Sequence, residues 1–231
     1  MSDDIARLRN EYKERKRRLA GSDRYSPLNT ANLFTIQQRQ RKLVAAIKPF
    51  LDTSTQDRNI LEIGCGLGGV LNEYMALGLS KSQLFGIDLL YDRLVEAHEK
   101  YPNFGLTCAD GQSLPYQNEQ FDIVLQYTAF TSVLDSSIKQ NMAAEMKRVL
   151  KNDGLIIWYD FWLNPTNPQT EGIKPNEIRS LFPGCKYHFS KVTLAPPLAR
   201  RIVPISWNAA MILESFKIFN SHYLGLIRKI R

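Results

Sequence analysis

From residue 58 onward, short apolar runs alternate with stretches in which apolar residues recur every three or four positions, so the chain predicts strand alternating with helix. Residues 59–63 read as a buried strand and 68–77 as a helix. A second strand is expected over 83–88, then a helix over 91–101 that breaks at Pro102. A third strand falls at 104–108, a fourth at 121–127, a helix at 136–150, and a fifth strand at 154–159 entered through the turn Lys151-Asn152-Asp153-Gly154. This spacing implies parallel β-α-β units and a sheet covered on both faces. Two helices precede it. One is charged, over 3–20, with Ile5, Leu8, Tyr12 and Leu19 as its apolar positions and Gly21-Ser22 as its end. The other runs over 31–51, capped by Thr30, with Leu33, Ile36, Leu43, Val44 and Ile47 at helical intervals. After Asp160 the rhythm changes to a loop with Pro165, Pro168 and Pro175, a short helix at 176–181, a strand at 186–194, an apolar Pro-interrupted segment to 221, and a last strand at 222–228.

Composition changes this picture little. The 231 residues are 44% hydrophobic and 23% charged, which suits one globular domain and excludes a disordered or fibrous chain. One domain over 1–231 is expected, with a helical cap at 1–57, a core at 58–160, and acceptor-side loops, insertion and strands at 161–231. Charge is more telling. Residues 1–48 carry 12 Lys/Arg against 5 Asp/Glu, and residues 186–231 carry 8 against 1, so an acidic middle lies between basic ends. Solvated helices account for such ends; an anionic substrate, a membrane surface or nucleic acid is the functional alternative. The polar start at Met1-Ser2-Asp3-Asp4 and the lack of a long apolar run lead us to expect a cytoplasmic protein. Cys65, Cys108 and Cys185 form no close pair, which fits reduced thiols, and no metal site is expected.

The candidate chemistry begins at Glu62-Ile63-Gly64-Cys65-Gly66-Leu67-Gly68-Gly69, a strand-to-helix turn whose glycines let backbone approach a ligand. Gly64, Gly66 and Gly69 also satisfy the dinucleotide spacing G-x-G-x-x-G, so a nicotinamide-dependent oxidoreductase is the first rival. Glu62 argues against it, because a carboxylate there repels a pyrophosphate and suits a ligand carrying an ammonium and a sulfonium. Asp88 ends the second strand, where it can accept hydrogen bonds from ribose hydroxyls. Asp110, between Ala109 and Gly111, can read the exocyclic amine of adenine.

Taken in order, Leu61 to Gly68, Gly86-Ile87-Asp88, Ala109-Asp110-Gly111, Phe121-Asp122-Ile123-Val124 and Met146 to Gly154 resemble the class I S-adenosylmethionine-dependent methyltransferases. The resemblance implies a seven-stranded, doubly wound, Rossmann-like α/β sheet with an antiparallel last strand and an N-terminal helical cap. It implies S-adenosylmethionine as cofactor and S-adenosylhomocysteine as product. By analogy Glu62, Gly64, Cys65 and Gly66 flank the methionine part and backbone near Gln126 and Tyr127 receives its amino group. Asp88 holds the ribose, Leu89 packs on adenine, and Ala109, Asp110 and Gly111 bind the adenine edge. Arg93 joins this set, or is a surface residue of its helix. Tyr25, Asn32 and Arg39 are candidate lid residues.

For the acceptor, the carboxyl ends of the fourth and fifth strands are the expected place. Asp160 is the first candidate base, or alternatively a loop cap, followed by His188 and His222. Phe130, Tyr159, Phe161 and Trp162 are candidate acceptor walls, with core packing as the ordinary alternative. Cys65 and Cys108 are expected as small packing residues beside the cofactor. A small-molecule acceptor is expected, glycan-like, anionic or lipid-linked, methylated at O or N, with no nucleic acid. A retained cofactor-binding fold acting as a partner subunit is the non-enzyme rival. In the segment after 194, Arg200-Arg201 precede an apolar helix through Met211, Leu213, Phe216 and Phe219. Burial against the body is the expected placement, and an interfacial lid the alternative.

Overall fold

The computed structural model describes residues 3–51, 58–164 and 167–230, with the side chains of residues 3 and 4 left aside. The expected cap boundary at 57 and Pro165 lie outside the described residues. Two helices, α1 (Asp3–Arg18) and α2 (Thr30–Leu51), lead into β1 (Ile60–Ile63), α3 (Gly69–Met75), β2 (Leu84–Asp88), α4 (Tyr91–Lys100), β3 (Gly105–Cys108) and β4 (Phe121–Tyr127). Then follow α5 (Ser136–Val149), β5 (Leu150–Phe161), α6 (Pro175–Leu181), β6 (Cys185–Leu194), α7 (Pro196–Ile202), α8 (Trp207–Ser215) and β7 (Asn220–Lys229).

The seven strands form one sheet in the order β3-β2-β1-β4-β5-β7-β6. The first five pair in parallel, while β7 runs antiparallel between β5 and β6. Near-continuous apolar strands are what a sheet buried on both faces requires. One face packs Ile63, Val124, Ile156 and Trp158 against Met142, Met146 and Ile178 of α5 and α6. The other packs Ile60, Leu125, Ile157 and Tyr159 against Leu43, Leu71, Tyr74 and Leu94 of α2, α3 and α4. All ligand-facing ends are therefore the carboxyl ends of β1, β2, β4, β5 and β6, at one edge of the molecule.

Three local readings change. The cap of α2 is Asn29, whose Oδ1 accepts from the backbone N–H of Ala31 and Asn32, both at 3.1 Å, and Thr30 is already helical. The expected turn at 151–154 lies inside one long strand. Pairing jumps from Phe121 opposite Leu150 to Ile123 opposite Leu155, so the extra residues of β5 bulge out, tied by Lys151 Nζ to Asp122 Oδ2 at 2.9 Å. The apolar segment after β6 holds two helices rather than one. Arg200 and Arg201 belong to α7, Ser206 caps α8 by accepting from the Ala209 N–H, and Phe216 and Phe219 lie past the end of α8. Together α7 and α8 pack on the first half of α2, where Phe34 meets Trp207 edge-on at 5.0 Å between ring centroids.

Candidate active site

The glycine loop is shaped by two positions. Gly64 has φ +74 and Gly66 φ +55, a region L side chains rarely occupy, and a Cβ on Gly66 would lie 2.1 Å from the Arg93 guanidinium. This frees the Gly66 N–H to donate to Asp88 Oδ2 at 2.8 Å, while Leu90 N–H donates to Asp88 Oδ1 at 2.9 Å. Asp88 is thus fixed at the rim of the loop, with Arg93 Nη1 at 3.5 Å. Gly69 behaves otherwise. A Cβ there would meet nothing within 4 Å, so it does not serve the close helix-strand packing that the third glycine of a dinucleotide fingerprint provides.

Behind the loop lies a buried charge cluster. Glu62, at the carboxyl end of β1, is buried, and its Oε2 has no hydrogen-bond partner. Burial, helped by the nearby Glu73 carboxylate and opposed by Arg39, pushes the Glu62 carboxyl up to about 8. Arg39 of α2 pairs with Glu73 of α3 and lies 5.0 Å from the Tyr127 ring centroid and 5.5 Å from that of Tyr159. Its Nε and the second Glu73 oxygen are buried and unpartnered. Two carboxyls, one guanidinium and two tyrosine faces make a buried cluster that is short of one positive charge whenever Glu62 is ionised. An ammonium or sulfonium supplies that charge; a pyrophosphate worsens the deficit.

Beyond Tyr159 the cluster continues into the insertion. The Tyr159 hydroxyl lies 2.9 Å from Thr193 Oγ1, and the ring stacks on His222 at 4.9 Å. Burial, with Arg39 nearby, pulls His222 down to about 3, so its imidazole is neutral across the working pH range. Phe161 meets the same imidazole edge-on. Thr128 and Thr193, at the ends of β4 and β6, hold φ +59 and +64, strained for β-branched residues. Both touch Tyr159: the Thr128 N–H donates to its carbonyl at 2.8 Å, and the Thr193 hydroxyl meets its phenol.

Asp160 is in a different role from the expected base. It is fully buried and accepts from Gln126 Nε2 at 2.6 Å, Thr131 Oγ1 at 2.7 Å and Trp158 Nε1 at 2.9 Å. Gln126 Oε1 in turn accepts from the N–H groups of Ala129 and Phe130. Burial lifts Asp160 to about 7, and its three side-chain donors tie it to Gln126, Thr131 and Trp158, so it organises the loop after β4. His188 sits exposed on β6, several residues short of the carboxyl end, apart from the cluster. Phe130 is core, packed near Phe182. Trp162 lies on the α6 face of the sheet, in a cleft with Lys191 and Tyr223, away from Tyr159.

At the adenine side, Ala109 is half-buried and Gly111 is tightly packed, since a Cβ there would meet Met142 and Ile63 at about the limit of contact. Asp110 accepts from the Gln112 N–H at 2.9 Å, and Leu89 is half-buried. Cys65 is buried, its thiol pushed up by burial, whereas Cys108 is exposed at the sheet edge rather than packed. Of the candidate lid residues, Arg39 is in the site. Tyr25 is exposed beside Arg15, and Asn32 Nδ2 donates to the Ser26 carbonyl in a local turn.

The covering element is α1. Tyr12 lies under the Arg93 guanidinium at 4.8 Å, Lys16 pairs with Glu96 of α4, and Arg7 donates to the Ser132 carbonyl at 2.6 Å. One helix thus bridges the glycine-loop side and the loop after β4.

The model of the methyltransferase domain family matches residues 60–154. Over these residues the chain is similar to the S-adenosylmethionine-dependent methyltransferases. The chain is 30% identical over 110 residues to the ubiquinone/menaquinone biosynthesis C-methyltransferase of Campylobacter jejuni, covering 46% of each chain. It is 27% identical over 171 residues to the norajmaline N-methyltransferase of Rauvolfia serpentina, covering 68% of this chain and 56% of that one. The chain spans about half the length of the curated relatives it matches. Its fold is shared with the 1,6-didemethyltoxoflavin-N1-methyltransferase of Burkholderia thailandensis, at 13% identity and a TM-score of 0.64, covering 98% and 88% of the two chains. The buried Glu62 cluster fits a cationic ligand such as S-adenosylmethionine.

Glu73 and Thr193 were not among the sequence candidates, and the expected helical cap named no residue of α1 for the site. Glu73 follows Gly69 by four residues, so helical spacing returns it toward the loop end of α3. Its pairing with Arg39 depends on how α2 docks, which no local pattern encodes.

Proposed function

We propose that this methyltransferase transfers a methyl group from S-adenosylmethionine to a nitrogen or oxygen of a ring-bearing small molecule. The observation that carries this reading is the buried Glu62 oxygen without a partner, next to a wall made of Tyr127, Tyr159 and His222. When bound, S-adenosylmethionine supplies a methyl group on a sulfonium that is already an activated leaving group. Glu62 and Glu73 offset the ligand's positive charge, Asp88 holds ribose hydroxyls, and Asp110 meets the adenine edge. Tyr159, held by Thr128 and Thr193, orients the acceptor, so catalysis rests on alignment.

Neither of the two expected bases serves the wall, because Asp160 is held by three donors and His222 is neutral and weakly basic, while Glu62 is taken up by the cofactor's charge. The acceptor atom therefore has to be nucleophilic at neutral pH or lose its proton to water. Relatives named for a C-methyl step on a quinone pathway and for an N-methyl step on norajmaline support a small-molecule acceptor.

The test is incubation of the chain with methyl-labelled S-adenosylmethionine and fractionated small-molecule extract. Label should enter a ring-bearing small molecule, and Glu62→Gln should abolish its incorporation. Label found only in protein or nucleic acid would overturn the acceptor class, and no transfer despite cofactor binding would favour a non-catalytic subunit.

A further inference from the structure

The helix α8 is apolar on both sides. Its inner side, with Ala210 buried and Trp207 and Met211 half-buried, packs on Phe34 and Gln38 of α2. Its outward side should then be polar, as in an ordinary surface helix. Instead Ile212 and Phe216 are exposed one turn apart, followed by Ile218 at 71% and Phe219, and preceded by Ile205 at 86%. Scattered exposed apolar residues are ordinary, but five within fifteen positions on one projecting segment are not.

The rim of this segment is basic. Arg200 lies beside Arg24 of the turn before α2, close enough that burial and the like charge of Arg24 together pull its pKa down. Among the described residues Arg24, Arg200 and Arg201 pair with no carboxylate. The sole acid of residues 186–231, Glu214, is turned inward to Lys217 and Asn220. An apolar tip with an uncompensated cationic rim suits a surface that is apolar within and anionic at its boundary.

We propose that residues 205–219, with Arg24, Arg200 and Arg201, dock this protein on the surface of an anionic lipid bilayer. A second copy is a poor occupant, because face-to-face packing would bring the three unpaired arginines of each chain together. The insertion leaves β6 at its carboxyl end, the end that also holds Thr193 and Tyr159. Docking therefore turns the acceptor side of the site toward the membrane. This inference concerns the outer surface and stands whether or not the proposed transfer reaction is correct.

The test is co-sedimentation of the full chain with vesicles of phosphatidylglycerol and phosphatidylcholine, against phosphatidylcholine alone, at low and high salt. Two variants accompany it, Phe216→Ser with Ile218→Ser, and Arg200→Gln with Arg201→Gln. Both alter exposed side chains, and unchanged thermal unfolding verifies their fold. The wild type should pellet with the anionic vesicles at low salt, and each variant should lose at least about tenfold of that binding. Failure of the wild type to pellet at low salt would overturn the proposal. Equal binding by the Phe216/Ile218 variant would also overturn it, reducing the effect to general net charge. A concentration-dependent dimer that the same variant abolishes, without vesicle binding, would assign the surface to a second copy instead.

Discussion

At Glu62 the protein holds a carboxyl in a place where its charge is unfavourable until a cation arrives. Its folded pKa of about 8 lies above the ordinary 4.5, so the folded chain binds the extra proton. Stability is full below the unfolded value and falls as pH rises from about 4.5 through 8. Glu62→Gln removes that penalty. At pH 8 the cofactor-free variant should unfold later than the wild type, by roughly 2–4 kcal/mol, with little difference at pH 4. Thermal unfolding at the two pH values measures this. Cofactor binding should also expel the proton: calorimetry at pH 6.5 in buffers of different ionisation enthalpy should record release of nearly one proton, absent in Glu62→Gln. Asp160 permits a sharper distinction. Asparagine can accept from Gln126 and Trp158 through its oxygen and donate to Thr131, so Asp160→Asn should keep methyl transfer within about tenfold, whereas Asp160→Ala should cost about 3 kcal/mol of stability by stranding three buried donors. A loss in Asp160→Asn of a hundredfold or more with intact stability would restore Asp160 as a base.

At the scale of elements, the strands were legible because a sheet covered on both faces writes itself as short apolar runs, and Phe121–Tyr127 was read to the residue. The bulge in β5 was not, because Lys151-Asn152-Asp153-Gly154 carries turn chemistry whether it ends a strand or loops out of one. His188 and Trp162 were placed by their strands, yet the side of the sheet and the distance from its carboxyl end decide their surroundings. Two strained threonines bracket the end of β5, and Thr128→Gly should relieve a left-handed backbone at a gain of about 1 kcal/mol in thermal unfolding while slowing methyl transfer, since Tyr159 loses part of its frame. The covering helix α1 crosses the site through Tyr12 and Arg7. Hydrogen exchange should therefore show α1 gaining protection when S-adenosylhomocysteine binds, and unchanged exchange there would remove its covering role.

For the whole molecule, one edge of the sheet gathers everything with chemistry: the glycine loop, the Glu62 cluster, the tyrosine wall and the insertion. The positions of Glu62, Asp88 and Asp110 were legible because each stands at or just past the carboxyl end of a strand, β1, β2 and β3. The acceptor half was not, because Arg39, Tyr159, Thr193 and His222 come together only through the docking of α2 and the return of β7. The central claim is that this edge takes an adenosyl ligand bearing an amino-acid ammonium and not a dinucleotide. Calorimetric titration of the full chain with S-adenosylhomocysteine, and in parallel with NADH, tests it most directly. Saturable binding of S-adenosylhomocysteine at one site, weakened at least about tenfold by Glu62→Gln, with no heat from NADH, is the predicted result. Binding of NADH, or S-adenosylhomocysteine binding indifferent to Glu62→Gln, would contradict it.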